Sequence, residues 1–157
     1  FRLMILNSHY RAPVAFTEET ITEAKKNIEK ISNAVKTAAI KLQINDVNIK
    51  DLHGKTSETF LNELCNDVNT PNAIAELYEE IKRLNQALRS NPFSLDSLKE
   101  IFANVLTELS ILGLNISYKE LTSEEKDLYK SYLEAKANKD FAKSDELRTT
   151  LIEKGIF

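Results

Sequence analysis

The sequence predicts an all-α fold. Glycine and proline are scarce, with three of each in 157 residues, and Lys, Glu, Leu, Ile and Ala are abundant. Apolar residues recur at intervals of three and four, which is the spacing of one face of a helix. So few turn-forming residues leave room mainly for short links between helices. The length is that of one domain, and it is sufficient to bury a core.

The first residues predict a short helix. Leu3, Leu6 and Tyr10 lie on one helical stripe, and Pro13 disfavours helical geometry at the residue before it, so we expect this helix to end near Tyr10 or Arg11. The apolar pattern starts without a cap or an initiating Met. We therefore expect Phe1 to lie inside a larger protein.

A polar cluster, His9, Tyr10 and Arg11, falls at the end of that helix. The sequence allows two interpretations. In the first, the cluster binds RNA or a neighbouring domain. In the second, Arg11 and His9 complement the negative end of the helix dipole.

A long helix is predicted after Thr17, whose side chain can cap it. Residues 43–55 break the pattern and predict a loop of about a dozen residues, with a short strand as the alternative. The buried face of the helix is expected to comprise Ile21, Ala24, Ile28, Ile31, Val35, Ala38 and Leu42.

Three further helices follow. The first should start at Thr56 or Ser57 and carry Cys65 on its inward stripe, which predicts a buried thiol. Thr70 should cap the second, with Pro71 at its first position. Ser94 should cap the third, which has the richest apolar face: Leu98, Ile101, Phe102, Val105, Leu106, Leu109 and Leu112.

The last 36 residues predict a helical hairpin. Thr122 and Glu125 have the spacing of a capping box, and Asp140 can cap a second helix after the weak helix formers at 138–140. Gly155 should end that helix in the left-handed conformation. The hairpin would have an apolar seam and a charged rim.

Charge and composition exclude several classes of protein. A net charge of −3 argues against a protein that coats nucleic acid without sequence specificity, because such proteins rely on an excess of Lys and Arg. A local basic patch that faces RNA remains allowed. One cysteine cannot form an internal disulfide, which favours a reducing, cytosolic setting. No apolar run approaches the roughly 20 residues that a membrane-spanning helix needs.

Catalytic motifs are missing from the sequence. The three glycines are isolated, so no phosphate-binding loop is present. His9, His53 and Cys65 are too few and too scattered for a zinc site. We expect no catalysis and no cofactor in this segment by itself.

Three blocks of sequence resemble the C-terminal part of bacterial cysteinyl-tRNA synthetases, which are class I aminoacyl-tRNA synthetases. Their order and spacing match across almost the whole chain. The blocks are Leu3-Met4-Ile5-Leu6 with Ser8-His9-Tyr10-Arg11-Ala12-Pro13 and Phe16; Asn66-Asp67-Val68-Asn69-Thr70-Pro71 with Ala73; and Ala135-Lys136 with Lys139-Asp140-Phe141, Ser144-Asp145, Arg148, Leu151 and Gly155-Ile156.

The resemblance implies a helical bundle of the class I synthetase anticodon-binding, DALR-like type that ends in a helical hairpin. It implies a junction helix at 1–16, the bundle at 17–121 and the hairpin at 122–157. The catalytic domain, with its ATP and zinc sites, would precede Phe1. Implied partners are cysteine tRNA and that catalytic domain, in a cytoplasmic monomer without membrane or DNA contact.

The resemblance also implies residue roles. The basic anticodon-reading position falls on Lys136 and the acidic one on Asp145, while Tyr132 stands where the family commonly has an arginine and could stack on a base. Lys136 likewise stands where the family commonly has an arginine, and lysine lacks the planar, forked guanidinium group. The family's Asp- and Trp-containing tail would follow Phe157. Further cations that could meet phosphates are Lys139, Lys143 and Arg148.

Two alternatives stay open. The chain could be a helical adaptor that binds a protein, or it could be the anticodon-binding bundle of another class I synthetase.

Overall fold

The structure, a computed structural model, describes all 157 residues. It contains only helices, so the predicted all-α class is confirmed, and no strand forms in the 43–55 segment. The elements are α1 (Arg2–Leu6), α2 (Glu18–Ile44), a 3₁₀ turn (Ile49–Asp51), α3 (Glu58–Cys65), α4 (Thr70–Arg89), α5 (Leu95–Ile111), α6 (Ser123–Ala137) and α7 (Phe141–Glu153).

Side-chain caps begin the helices where the sequence predicts them. Thr17, Ser57, Ser94, Thr122 and Asp140 each accept a hydrogen bond from the main-chain N–H three residues later. Such caps satisfy donors that the first turn of a helix leaves without partners. The start of α4 differs by one position from the prediction.

Asn69, and not Thr70, caps α4. The Asn69 side chain accepts a hydrogen bond from the Asn72 N–H, which makes Thr70 the first helical residue. Asn69 is also held by the Glu63 carboxylate, which accepts from its side-chain amide at 2.8 Å. This contact with α3 sets the start of α4.

The main hydrophobic core lies between α2, α4 and α5. Its completely buried side chains include Ile31 from α2, Leu77 from α4 and Phe102 from α5, together with Phe60 from α3. Leu3 of α1 belongs to the same core, so the first helix packs on the bundle. Each large apolar side chain buried in this way contributes about 1.5 to 3 kcal/mol.

A second, smaller cluster joins the hairpin of α6 and α7 to the end of α2. It comprises Ile44, Leu121, Leu151 and Ile156. Leu151 is completely buried and Gly155 ends α7 with a φ of 67°, as predicted. The hairpin therefore sits against the C-terminal part of α2.

Three predictions about the early helices are wrong. Ile21, expected on the buried face of α2, is 53% exposed. Helix α1 ends at Leu6, about four residues before the expected end, and Tyr10 and Arg11 beyond it instead donate hydrogen bonds to Asp67, just after α3. Cys65 is exposed and not buried. Helix α3 is short and buries only Phe60 completely, so its inward face is narrower than the apolar pattern suggests.

Candidate functional site

A capping box and an ion pair hold the start of the hairpin. The Thr122 hydroxyl accepts from the Glu125 N–H, and the Glu125 carboxylate accepts from the Thr122 N–H at 3.0 Å. Lys119 Nζ donates to Glu125 Oε1 at 2.7 Å and to the main-chain carbonyl of Lys154. These hydrogen bonds, that from Lys119 above all, lower the pKa of Glu125. Lys119 therefore ties the two open ends of the hairpin together.

Hydrogen bonds also fix the turn between α6 and α7. The Asp140 N–H donates to the Ala135 carbonyl at 2.9 Å, and the Asp140 carboxylate accepts from the Lys143 N–H at 3.2 Å. Lys139 takes a φ of 58°, in the left-handed region that closes many helix ends. The bend thus places Lys139 at the tip of the hairpin.

Ala135 on α6 and Ser144 on α7 are buried, and each is followed by an exposed residue, Lys136 and Asp145 respectively. One residue advances a helix by about 100°, and the two helices run in opposite directions. The residue after each buried position therefore points to the same side of the hairpin. Lys136 and Asp145 lie on one face, which we call the reading face.

The other predicted cations divide between two faces. Arg148 follows Asp145 by three residues and shares the reading face, whereas Lys143 precedes Ser144 and lies on the opposite side. All of these side chains are exposed, and none makes an ion pair. The charged groups of the reading face are therefore free for a ligand.

Tyr132 is half-buried and already has aromatic neighbours. Its ring centroid lies 5.8 Å from that of Tyr129 and 5.5 Å from that of Phe157, both in edge-to-face geometry. Lys136 follows it by one helical turn, so the aromatic cluster borders the reading face. Tyr132 joins this cluster, and its ring is only partly open to an incoming base.

The cluster of His9, Tyr10 and Arg11 gathers around Asp67, just beyond α3. Asp67 Oδ1 accepts from the Tyr10 hydroxyl at 2.8 Å and from Arg11 Nη2 at 3.0 Å, and His9 Nε2 lies 3.6 Å from Oδ2. The hydrogen bond to Asp67 raises the pKa of Tyr10. The helix-dipole interpretation is wrong, because α1 ends at Leu6 and has no basic residue in its last turn.

Two residues of importance were missed by sequence reasoning. Asp67 lies within a block that resembles the family, but nothing local indicates its partners. Glu108 is completely buried in α5, where Oε1 accepts from the Ser57 N–H at 3.3 Å and Oε2 has no partner. Burial raises the pKa of Glu108. Its enclosure indicates a structural role at the start of α3.

No group of three or more His, Cys, Asp or Glu side chains is arranged to hold a metal ion. None of the helices combines the length and the apolar character needed to cross a bilayer.

Residues 59–116 match the family model of the DALR domain. Over 99% of its length the chain is also similar to proteins named cysteine–tRNA ligase. That of Oceanobacillus iheyensis is 32% identical and that of Bacillus cereus strain B4264 is 33% identical, each with 35% of its length covered. That of Acholeplasma laidlawii is 29% identical, with 34% covered. The chain thus spans about a third of the length of these relatives.

The DALR match and the wholly helical architecture define a bundle of the class I synthetase anticodon-binding type. Within that class the chain resembles the cysteinyl-tRNA synthetases over almost its whole length, in the part that corresponds to their C-terminal helical region.

Proposed function

We propose that this chain is the tRNA-binding region of a cysteine–tRNA ligase, an enzyme that attaches cysteine to its tRNA with ATP. The segment docks the tRNA and helps to recognise the anticodon. Residues 1–16 form the junction to the catalytic domain, 17–121 the bundle and 122–157 the reading hairpin. ATP and zinc belong to the catalytic domain. The enzyme acts in the cytoplasm as a monomer.

One observation carries this proposal: Lys136, Asp145 and Arg148 share an exposed face and have no partners within the chain. Unpaired anticodon bases present amino groups that a carboxylate can accept hydrogen bonds from, and their phosphates attract cations. A rigid hairpin holds both kinds of group in one place. The fixed spacing allows a base edge and its phosphate to be sensed together.

The cluster at His9, Tyr10 and Arg11 has a different place in the proposal. These side chains contact the Asp67 carboxylate, yet all remain partly or fully exposed. We assign them to the junction with the catalytic domain or to a contact with the tRNA stem, where Asp67 keeps them in position.

Filter binding with a set of purified tRNAs tests the proposal. The chain should retain cysteine tRNA more tightly than other tRNAs, and changes in the anticodon should weaken retention. Preference for another tRNA would show that the bundle serves another class I synthetase. Failure to bind any tRNA would contradict RNA binding and would favour a protein-binding adaptor.

A further inference from the structure

A groove of about 1040 Å³ lies between α2, α4 and α6, beside the reading face and distinct from it. Its floor is apolar, with Ile31, Ile81 and Leu133 each from a different helix. Its rim is polar and carries Lys30 and Lys41 from α2 and Lys82 and Arg89 from α4, with the amides of Asn33, Asn85 and Gln86 between them.

The charge of this rim has one sign. The chain contains 24 acidic residues and has a net charge of −3, yet no carboxylate lines the groove. By contrast, four of the chain's 21 Lys and Arg residues line it. Lys30 and Arg89 make no ion pair, and Lys41 lies 4.8 Å from the centre of the Phe93 ring. Lys82 contacts Glu79, an exposed residue outside the groove, at 3.0 Å. A polyanion is therefore the ligand that this rim complements.

The groove is continuous with the reading face through α6. Leu133 contributes to the groove and precedes Lys136 by three residues, so the two side chains are neighbours on the helix surface. A single strand of RNA that passes Lys136 therefore reaches the groove while it stays in contact with the protein surface. An apolar floor beneath cations suits unstacked bases, which bury a ring face while their phosphates stay at the rim.

We propose that the groove binds single-stranded tRNA nucleotides that flank those at the reading face, with their phosphates on Lys30, Lys41 and Arg89 and a base on the apolar floor. This inference rests on the proposed function and adds a second contact to it. It assigns affinity to the groove and discrimination between anticodons to the hairpin.

Two charge-removing double variants test the inference, with tRNA affinity measured over a range of salt concentrations. Lys30→Gln with Lys41→Gln removes two groove cations. Lys25→Gln with Lys36→Gln removes two exposed cations from another side of α2 and serves as the matched control. Circular dichroism and thermal unfolding confirm that both variants are folded.

The groove variant should bind cysteine tRNA more weakly. The plot of log K against log salt has a negative slope, and its magnitude should decrease by about 1.4, since each phosphate contact to a single strand contributes about 0.7. Arg89→Gln alone should decrease that magnitude by about 0.7. The ratio of affinities for cysteine tRNA and an anticodon variant should stay unchanged, because the groove holds phosphates and the hairpin reads bases.

An unchanged affinity and slope in the groove variants, with normal tRNA binding by the wild-type chain, would overturn this inference alone and leave an acidic peptide as the better occupant. Absence of tRNA binding by the wild-type chain would overturn the proposed function as well.

Discussion

The side-chain oxygen of Gln43, near the end of α2, accepts a hydrogen bond from the Leu121 main-chain N–H at 2.8 Å. The amide nitrogen of the same side chain donates to the Lys119 carbonyl at 3.0 Å. Gln43 is buried, and it thus replaces solvent for two polar main-chain groups just before α6. This contact sets where the hairpin starts relative to the bundle.

Gln43→Met should loosen the hairpin. Methionine has a similar length but can neither accept from Leu121 nor donate to Lys119, so the buried Leu121 N–H and the part-buried Lys119 carbonyl lose their partners. The free energy of unfolding should fall by about 1 to 3 kcal/mol. Hydrogen exchange should accelerate in α6 and α7 more than in α4 and α5. Gln86→Met, at an exposed position of α4, is the control, and equal exchange in both variants would contradict the role of Gln43.

Asp145→Asn should weaken anticodon discrimination in the complete ligase. The amide keeps the size of the carboxylate but replaces one acceptor oxygen with a donor, so a base amino group loses a partner. The preference for the cognate base at one anticodon position should fall about tenfold or more. Aminoacylation of anticodon-variant tRNAs measures this preference. Glu146→Gln, one residue further along α7, is the control, and an unaltered preference in Asp145→Asn would argue against base reading by this carboxylate.

Lys136→Ala should raise the KM for tRNA several-fold, because a cation on the reading face is lost. The rate of cysteinyl-adenylate formation should not change, since the proposal places that step in the catalytic domain. Pyrophosphate exchange and aminoacylation assays separate the two effects. Lys136→Arg should restore binding, since arginine keeps the charge and adds a planar fork. A slower adenylation step in Lys136→Ala would contradict this division of labour.

Glu108→Gln should change how stability depends on pH. Because the folded-state pKa of Glu108 lies above its ordinary value of 4.5, the folded protein holds the proton more tightly than the unfolded chain. The wild-type protein therefore loses stability as pH rises from about 4.5 through the folded pKa, and the variant lacks this loss.

The advantage of Glu108→Gln over the wild type should grow across that range by about 1.4 kcal/mol per unit of difference between the folded and unfolded pKa values. Denaturant unfolding at a series of pH values between 4 and 8 measures it. Glu100→Gln, on the exposed side of the same helix, should give no such trend. A pH-independent difference for Glu108→Gln would mean that the carboxyl titrates normally.

The helix starts could be predicted from sequence because a cap is a local interaction. Thr17, Ser94, Thr122 and Asp140 each bond to a main-chain N–H three residues away, and that spacing is visible in the sequence. The all-α class and the hairpin follow from equally local patterns. The start of α4 shifted by one residue because Glu63, on another helix, holds Asn69.

The long-range contacts could not be predicted in this way. Arg11 and Asp67 are separated by 56 residues and Gln43 and Leu121 by 78, and nothing in either local pattern indicates the other partner. Cys65 was expected to be buried because apolar spacing shows which residues share a face, but not how much of that face a neighbouring helix covers.

The sequence alone determined the helical class, most helix boundaries and the positions of Lys136 and Asp145 on consecutive helices, because these depend on short-range geometry and on residue type. The tertiary structure alone decided that Asp67 occupies the junction cluster, that Gln43 fastens the hairpin and that four cations surround one groove. Those arrangements depend on which helix faces meet, and that is settled by packing across the whole chain.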